Sequence, residues 1–301
     1  MTRWLVTGAG GMLAHDLLGA LADQDVTALS RKDLDITDAD AVHACVAGHD
    51  VVVNCAAWTA VDDAETHERE AFAVNATGAA TLARACRRHG ARMVHISTDY
   101  VFGGDMPEPR RPYASDDPVS PSTAYGRSKA AGEWAVRAEL PDSHWILRTS
   151  WLYGSHGKNF VRTMADLARA GESPEVVDDQ WGQPTWTYHV ARRIIDVVRF
   201  EIRPGTYHAT ASGRASWHQL ATAVYEILGH DPSLVRRATS LSYQRPAPRP
   251  SWSVLDHTLW RRVGLDALPP WRDQLQAALA SGAVDDREAG VPGRGPEPRT
   301  R

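Results

Sequence analysis

Short apolar runs alternate with stretches of helical spacing along the first half of the chain, and this alternation restricts the fold more narrowly than any other feature. "RWLVTG" (3–8), "DVTALS" (25–30), "DVVVNCA" (50–56), "ARMVHIST" (91–98) and "HWILRTS" (144–150) have strand length and apolar or β-branched content, and Gly, Asp or polar residues bound them. Helical candidates fill the intervals at Met12 to Ala22, Asp38 to Ala47, Glu65 to Arg88 and Ala124 to Ala138. Strands regularly separated by helices predict a parallel sheet with right-handed crossovers, a doubly wound α/β fold.

After about residue 150 the pattern loosens. Segments 158–171, 189–201, 216–229 and 271–282 read as helices joined by Pro-, Gly- and Trp-rich connections, which predicts a smaller, mostly helical lobe on the carboxyl edge of the sheet. The expected organisation is a cofactor-binding domain over 1–148, completed by 186–204, then a substrate lobe over 149–284. The polar, Pro- and Gly-rich stretch 285–301 is expected to be a disordered tail.

The turn from the first strand into the first helix reads "LVTGAGGMLAHDLL". Gly8, Gly10 and Gly11 suit a tight turn whose N–H groups, with those of Met12 and Leu13 at the helix start, can hold a pyrophosphate. Ala14 stands where many dinucleotide folds carry a last glycine. An ordinary β-to-α turn has similar glycines, so the position directly after the first strand gives the motif its weight. The second strand ends "ALSRKDLD". An acidic residue there would repel the 2′-phosphate of NADP; Ser30, Arg31 and Lys32 instead offer a hydroxyl and two cations, which favours NADPH, with NADH still open, over a merely solvated basic turn. Asp35 and Ile36 are placed at the adenine, and Ala56 and Ala57, ending the third strand, beside the cofactor.

Bulk properties exclude several classes. The net charge is −4 and the pI near 6.3, without a basic stretch interleaved with aromatics, so nucleic acid is not the expected partner. No apolar stretch approaches the ~20 residues that span a bilayer, and the first residues lack a signal-peptide core, so a soluble cytoplasmic protein is expected. Cys45, Cys55 and Cys86 are scattered and odd in number, as in reduced thiols. "NAT" at Asn75 to Thr77 is read as a chance sequon. No metal-ligand motif occurs; carboxylates in "VDDAE" and "VDDQ" are read as solvated or capping groups, and no catalytic metal is expected.

In "SPSTAYGRSKAAGEWAV" (120–136) Tyr125 and Lys129 share one face of a helix. Alone the spacing is equally that of an ordinary surface pair. "ISTDYVFGG" (96–104) adds hydroxyl residues at the carboxyl edge of the fourth strand, where ligands of open α/β sheets bind. Ser97 or Thr98 then joins Tyr125 and Lys129 behind a glycine-rich nucleotide loop.

With these motifs the chain resembles the extended short-chain dehydrogenase/reductase superfamily and, within it, the dTDP-4-dehydrorhamnose reductases. "TGAGGML", "LDITD", "AAWTAVDDAE", "VNATG", "STDYVFGG", "YGRSK", "RTSWLYG", "KNFVRTM", "VDDQWGQPT" and "RPAPRPSWSVLD" occur in that family's order across about residues 1–280. Trp58, where Tyr or His is common, and Asp63, where Lys is common, depart from it. The resemblance implies a Rossmann-type sheet and reduction of a dTDP-4-dehydro-6-deoxyhexose by a monomer or homodimer. It makes Tyr125 the proton donor, Lys129 its activator and ribose ligand, and Thr98, with Ser97 in reserve, the carbonyl's hydrogen-bond partner. Asp99 and Tyr100 would border the substrate and Trp151 pack on the sugar, although a tryptophan there equally fills a core. Asn159, Gln180 and Thr185 are placed at diphosphate, base or cofactor, and Arg249 at phosphate oxygens. Arg148 is equally a structural partner of a carboxylate. Competing readings are a related dTDP-4-ketosugar reductase such as dihydrostreptose synthase, an epimerase or dehydratase with permanently bound NAD, and a non-enzymatic regulatory subunit like the beta subunit of methionine adenosyltransferase.

Overall fold

The computed structural model describes residues 1–284, so the expectation of a disordered tail over 285–301 lies outside it. Strands β1 (Arg3–Thr7), β2 (Asp25–Leu29), β3 (Val51–Asn54), β4 (Arg92–Thr98), β5 (His144–Thr149) and β6 (Gly205–His208) form a six-stranded sheet in the order β6-β5-β4-β3-β1-β2. Every pairing in it is parallel. The five apolar runs thus become strands. The sixth, "GTYH", has a single large apolar residue, too little to mark it against its surroundings.

The principal helices are α1 (Met12–Ala20), α2 (Ala39–Val46), α3 (Ala79–His89), α4 (Ala124–Glu139), α5 (Phe160–Arg169), α6 (Thr187–Arg199), α7 (Trp217–Ile227) and α8 (Trp271–Ala280). Strand alternation divides the core between the two sheet faces. Trp4, Val6, Val53 and Leu147 pack with Leu13 and Leu17 of α1 and Val190 and Ile194 of α6. Leu5, Val52, Met93 and Ile146 turn the other way, onto Val42 of α2, Leu82 of α3 and Val136 of α4. Burying one such aliphatic side chain contributes about 1.5–3 kcal/mol. Burial on both faces accounts for the apolar runs of β1, β3 and β5, whereas the edge strand β2 stays largely exposed.

The segment read as one helix over 65–88 is interrupted. An α-helical stretch Glu68–Phe72 passes into a widened π turn, Ala73–Gly78, before α3 begins. Such bulges concentrate at functional sites. In the second half, α5, α7 and α8 bury Val161, Ala165, Leu220, Val224 and Leu275 around Tyr153. Trp252, Val254 and Leu255 pack on Val101 and Phe102 beyond β4, so the late segment straps across the edge of the sheet. Among the described residues no helix is long and apolar enough to cross a membrane.

Candidate active site

At the glycine loop the requirement is geometric. Gly8 has φ +71°, and a Cβ there would lie 2.5 Å from the Ala56 backbone nitrogen, so only glycine lets the β1 and β3 turns touch. Gly11 N–H donates to the Gly8 carbonyl oxygen at 3.0 Å and closes the turn. A Cβ on Gly10 would meet nothing within 4 Å, so this face of the loop is open to a ligand. No side chain caps α1, whose first turn begins with Met12 and the buried Leu13 and holds no acid. A bare helix start beside an open glycine face fits a dinucleotide pyrophosphate. Ala14, fully buried, packs against the sheet.

The end of β2 is more mixed than its sequence indicates. Ser30 Oγ donates to Asp33 Oδ2 at 2.6 Å and accepts the Lys32 N–H at 3.2 Å, so a carboxylate stands within the basic turn. Arg31 and Lys32 remain exposed. Asp35 is engaged by the Thr37 N–H and hydroxyl at 2.9 and 2.8 Å, and Ile36 is buried in the core against α2 and α3, leaving chiefly its backbone to border a ligand. Ala56 N–H is held by Asn54 Oδ1 at 3.1 Å, and Ala56 and Ala57 stand half-buried at the end of β3.

Thr98 and Ser97, adjacent on β4, face opposite ways. Ser97 Oγ, buried, donates to Glu133 Oε1 at 2.7 Å beneath the sheet edge. Glu133 also receives Arg148 through Nε and Nη2, both at 2.8 Å, and Arg137 at 2.6 Å. Burial pushes the Glu133 carboxyl up, but the hydrogen bonds and charge of Arg148 outweigh it and hold the group below the usual carboxylate range. Ser97 is thus part of a buried ion-pair network, as is Arg148, and the structure does not bring it into the cleft.

Thr98 donates to Asp99 Oδ1 at 3.0 Å and accepts the Tyr100 N–H at 3.2 Å, and its hydroxyl favours the charged form of the Tyr125 phenol. Asp99 is buried, takes a second hydrogen bond from Ser150 at 2.9 Å, and is raised above the usual carboxylate range chiefly by burial. It holds Thr98 from behind rather than facing a ligand.

Tyr125 and Lys129 do not form the expected phenol–ammonium pair. Lys129 Nζ donates to the Ile96 carbonyl oxygen at 2.7 Å, and burial lowers its pKa to about 8 against the opposing pull of Glu133. Burial likewise pushes Tyr125 up to about 12, partly offset by Thr98. The phenol therefore stays protonated at neutral pH, the form a proton donor needs.

Sequence reasoning passed over Asn75. Its side chain grips the Trp58 backbone at both ends, Oδ1 accepting the N–H at 2.8 Å and Nδ2 donating to the carbonyl oxygen at 3.1 Å. Nδ2 also donates at 2.9 Å to Ser128 Oγ, which in turn donates to the Tyr125 carbonyl oxygen at 2.8 Å. The π turn carries the residue that fixes the Trp58 loop to the helix of Tyr125 and Lys129; in the sequence it lies in "VNATG", one of the motifs of the family resemblance, with no role attached to it.

Beyond the sheet edge opens a cavity of about 550 Å³. Its apolar wall includes Phe160, Met164, Val176 and Trp217, and its polar wall Gln180, Arg245 and Arg249. Tyr100 joins it to the hydroxyl cluster, its ring edge-on to Tyr125 at 5.6 Å. Gln180 Nε2 donates to Ser240 at 2.8 Å. Asn159 instead caps α5, accepting the Arg162 N–H at 3.0 Å. Thr185, fully buried, bonds the Gln183 carbonyl and Ala211 N–H. Neither lines the cavity. Trp151 stacks on Trp217 with ring centroids 3.6 Å apart, and a Cβ at Gly182 would come within 2.5 Å of its ring. Trp217 presents the pair to the cavity, and neither it nor Arg245 was singled out from sequence.

A family model described as the RmlD substrate binding domain matches residues 2–284. A probable dTDP-4,6-dihydroxy-2-methyloxan-3-one 4-ketoreductase of Streptomyces antibioticus is 50% identical, with 92% of this chain and 94% of that protein aligned. The dTDP-4-dehydrorhamnose reductase of Streptomyces griseus is 49% identical, with 91% of each covered. The crystal structure of dTDP-4-dehydrorhamnose reductase from Bacillus anthracis in complex with NADP superposes with a TM-score of 0.88 at 35% identity, covering 93% of this chain and 100% of that one.

Proposed function

The chain belongs to the RmlD family, that of the dTDP-4-dehydrorhamnose reductases, and on that premise we propose that it reduces the 4-keto group of dTDP-4-dehydro-L-rhamnose to give dTDP-L-rhamnose, using NADPH. One observation carries the reading: at the carboxyl end of β4 a protonated Tyr125 packs edge-on against Tyr100 at 5.6 Å, and Tyr100 lines a cavity with one apolar wall and one arginine-bearing wall. The apolar wall suits the base and sugar of the nucleotide, and Arg245 and Arg249 its diphosphate.

Gly8, Gly10, Gly11 and the start of α1 would hold the cofactor's pyrophosphate, and Arg31 and Lys32 its 2′-phosphate. Bound NADPH supplies the hydride. Tyr125 hydrogen-bonds the carbonyl oxygen and delivers a proton as the alkoxide develops, and Thr98, whose one hydroxyl hydrogen goes to Asp99 in the free protein, turns it to that oxygen. Lys129, buried and about half charged near pH 8, lies one helical turn from Tyr125 with its ammonium on the Ile96 carbonyl oxygen, from which it would reach the cofactor's ribose. We place the reaction in the cytoplasm, in keeping with three free cysteines, and the enzyme as a monomer or homodimer.

A second reading is reduction of another dTDP-4-keto-6-deoxysugar. The 50% identical Streptomyces antibioticus protein, whose name gives a different sugar, favours it, as do Trp58 and Asp63. Steady-state NADPH oxidation with dTDP-4-dehydro-L-rhamnose against dTDP-4-keto-6-deoxy-D-glucose separates the two. Higher kcat/KM for the former supports the rhamnose assignment; the reverse order moves the substrate to the second reading.

A further inference from the structure

The acidic stretch after β3, read from sequence as solvated or capping groups, has a different place in the fold. Asp62 Oδ2 accepts from Arg249 Nη2 at 2.7 Å and stands 3.5 Å from Arg245 Nη1, while its Oδ1 accepts the Ala247 N–H at 3.3 Å. One carboxylate from the cofactor-binding half thus hydrogen-bonds Arg249 and the main chain at Ala247 and forms a looser ion pair with Arg245, which is more than half exposed. Arg249 is fixed from its other end, Nη1 donating to the Ala247 carbonyl oxygen at 2.7 Å. The next acids reach the opposite way, to the first turn of α4. Glu65 Oε1 accepts the Ala124 N–H at 2.8 Å, and Glu68 Oε1 pairs with Arg127 Nε at 2.8 Å. The stretch therefore spans from the helix of Tyr125 and Lys129 to the arginine wall of the cavity.

We propose that Asp62 is a positioning residue for the nucleotide sugar: it sets Arg245 and Arg249 in place along the cavity wall before a diphosphate arrives. The inference rests on the nucleotide-sugar reading above. Two guanidiniums against the Asp62 carboxylate leave this part of the wall net positive, since Glu175, the other acid on the cavity, is paired with Arg236 at 3.5 Å, and each Nη carries a second hydrogen that Asp62 does not engage. Arginine loses much rotamer freedom when it is ordered, so holding it beforehand lowers the entropy lost at binding. The carboxylate also repels a diphosphate. Asp62 is about a third exposed, where solvent weakens that repulsion, and its bond to the Ala247 N–H places the segment as well as the charges, so positioning dominates.

The test is calorimetric titration of dTDP into the full chain, comparing Asp62→Asn with the original in two backgrounds, native and Arg245→Ala/Arg249→Ala, with NADPH affinity measured in parallel. Asparagine keeps an acceptor for Ala247 but loses the charge that holds the arginines. The substitution is expected to weaken dTDP binding about tenfold, or ~1.4 kcal/mol, to leave NADPH binding unchanged, and to have no further effect in the double-arginine background. In turnover, KM rises while kcat holds. Equal or tighter dTDP binding, a full loss in the arginine-free background, or a parallel loss of NADPH would overturn the proposal. If the unsubstituted protein binds NADPH but not dTDP, the nucleotide-sugar reading itself falls and takes the inference with it.

Discussion

Lys129→Met is expected to make the protein more stable while disabling it. Lys129 is 2% exposed, and burial takes its pKa from 10.5 to about 8, which corresponds to about 3 kcal/mol of disadvantage for the charged form. Methionine has similar length and no charge to desolvate, but it forfeits the hydrogen bond to the Ile96 carbonyl oxygen, a loss of about 1–2 kcal/mol. The balance is a gain of about 1–2 kcal/mol at pH 7, a rise in Tm of about 3 °C. The sign with pH follows from proton counting. Below pH 8 both the folded and unfolded chains hold the lysine proton, so the native protein bears the whole penalty. Between about 8 and 10.5 the folded chain releases it while the unfolded chain keeps it, and native stability rises with pH relative to the variant. Thermal unfolding of both proteins from pH 6 to 10 should show the variant's advantage shrinking through that window. A variant less stable at pH 7, or a difference that ignores pH, would refute the account of Lys129 as a strained, buried cation.

Gly8→Ala puts a Cβ against Ala56 at a positive φ, so NADPH affinity should fall about 100-fold, ~3 kcal/mol, by titration, with dTDP affinity retained. Asn75→Ala removes the grip on Trp58 and Ser128; steady-state assays should show kcat down about tenfold, and denaturant unfolding a loss of about 1–3 kcal/mol. Glu133→Ala strands Arg148, 1% exposed, without its carboxylate, and calorimetry should find Tm lowered by about 10 °C, from a loss of about 3–5 kcal/mol.

The sheet was largely legible because parallel strands covered on both faces are mainly apolar, as "VVV" at 51–53 and "MV" at 93–94 are, although buried Asn54 and His95 interrupt the runs. β6 was not, since its short "GTYH" run carries one large apolar side chain and its identity depends on pairing with β5. Tyr125 and Lys129 were legible as one helix face, yet their electrostatics were not: whether an ammonium meets a phenol or a backbone carbonyl depends on burial that spacing does not encode. Ser97 and Thr98 are interchangeable by composition, and only the position of Glu133 beneath β4 decides between them. Motif position did not reveal that Asn159 caps a helix and that Thr185 joins a buried hydrogen-bond network. Asn75, Trp217 and Arg245, which no motif gave a role, and Asp62, read as a solvated or capping acid, act through partners roughly 20 to 190 positions away in the chain, a relation that exists only after folding.

In the proposed reaction Tyr125, held neutral by its surroundings, donates the proton as the 4-keto group is reduced. Single-turnover NADPH oxidation with saturating dTDP-4-dehydro-L-rhamnose, comparing the native protein with Tyr125→Phe, tests it most directly. The account predicts a fall of at least about 100-fold in the chemical step, in the ~10²–10⁴ range of general acid catalysis, with NADPH and dTDP affinities unchanged. A variant that oxidises NADPH at close to the native rate would contradict it.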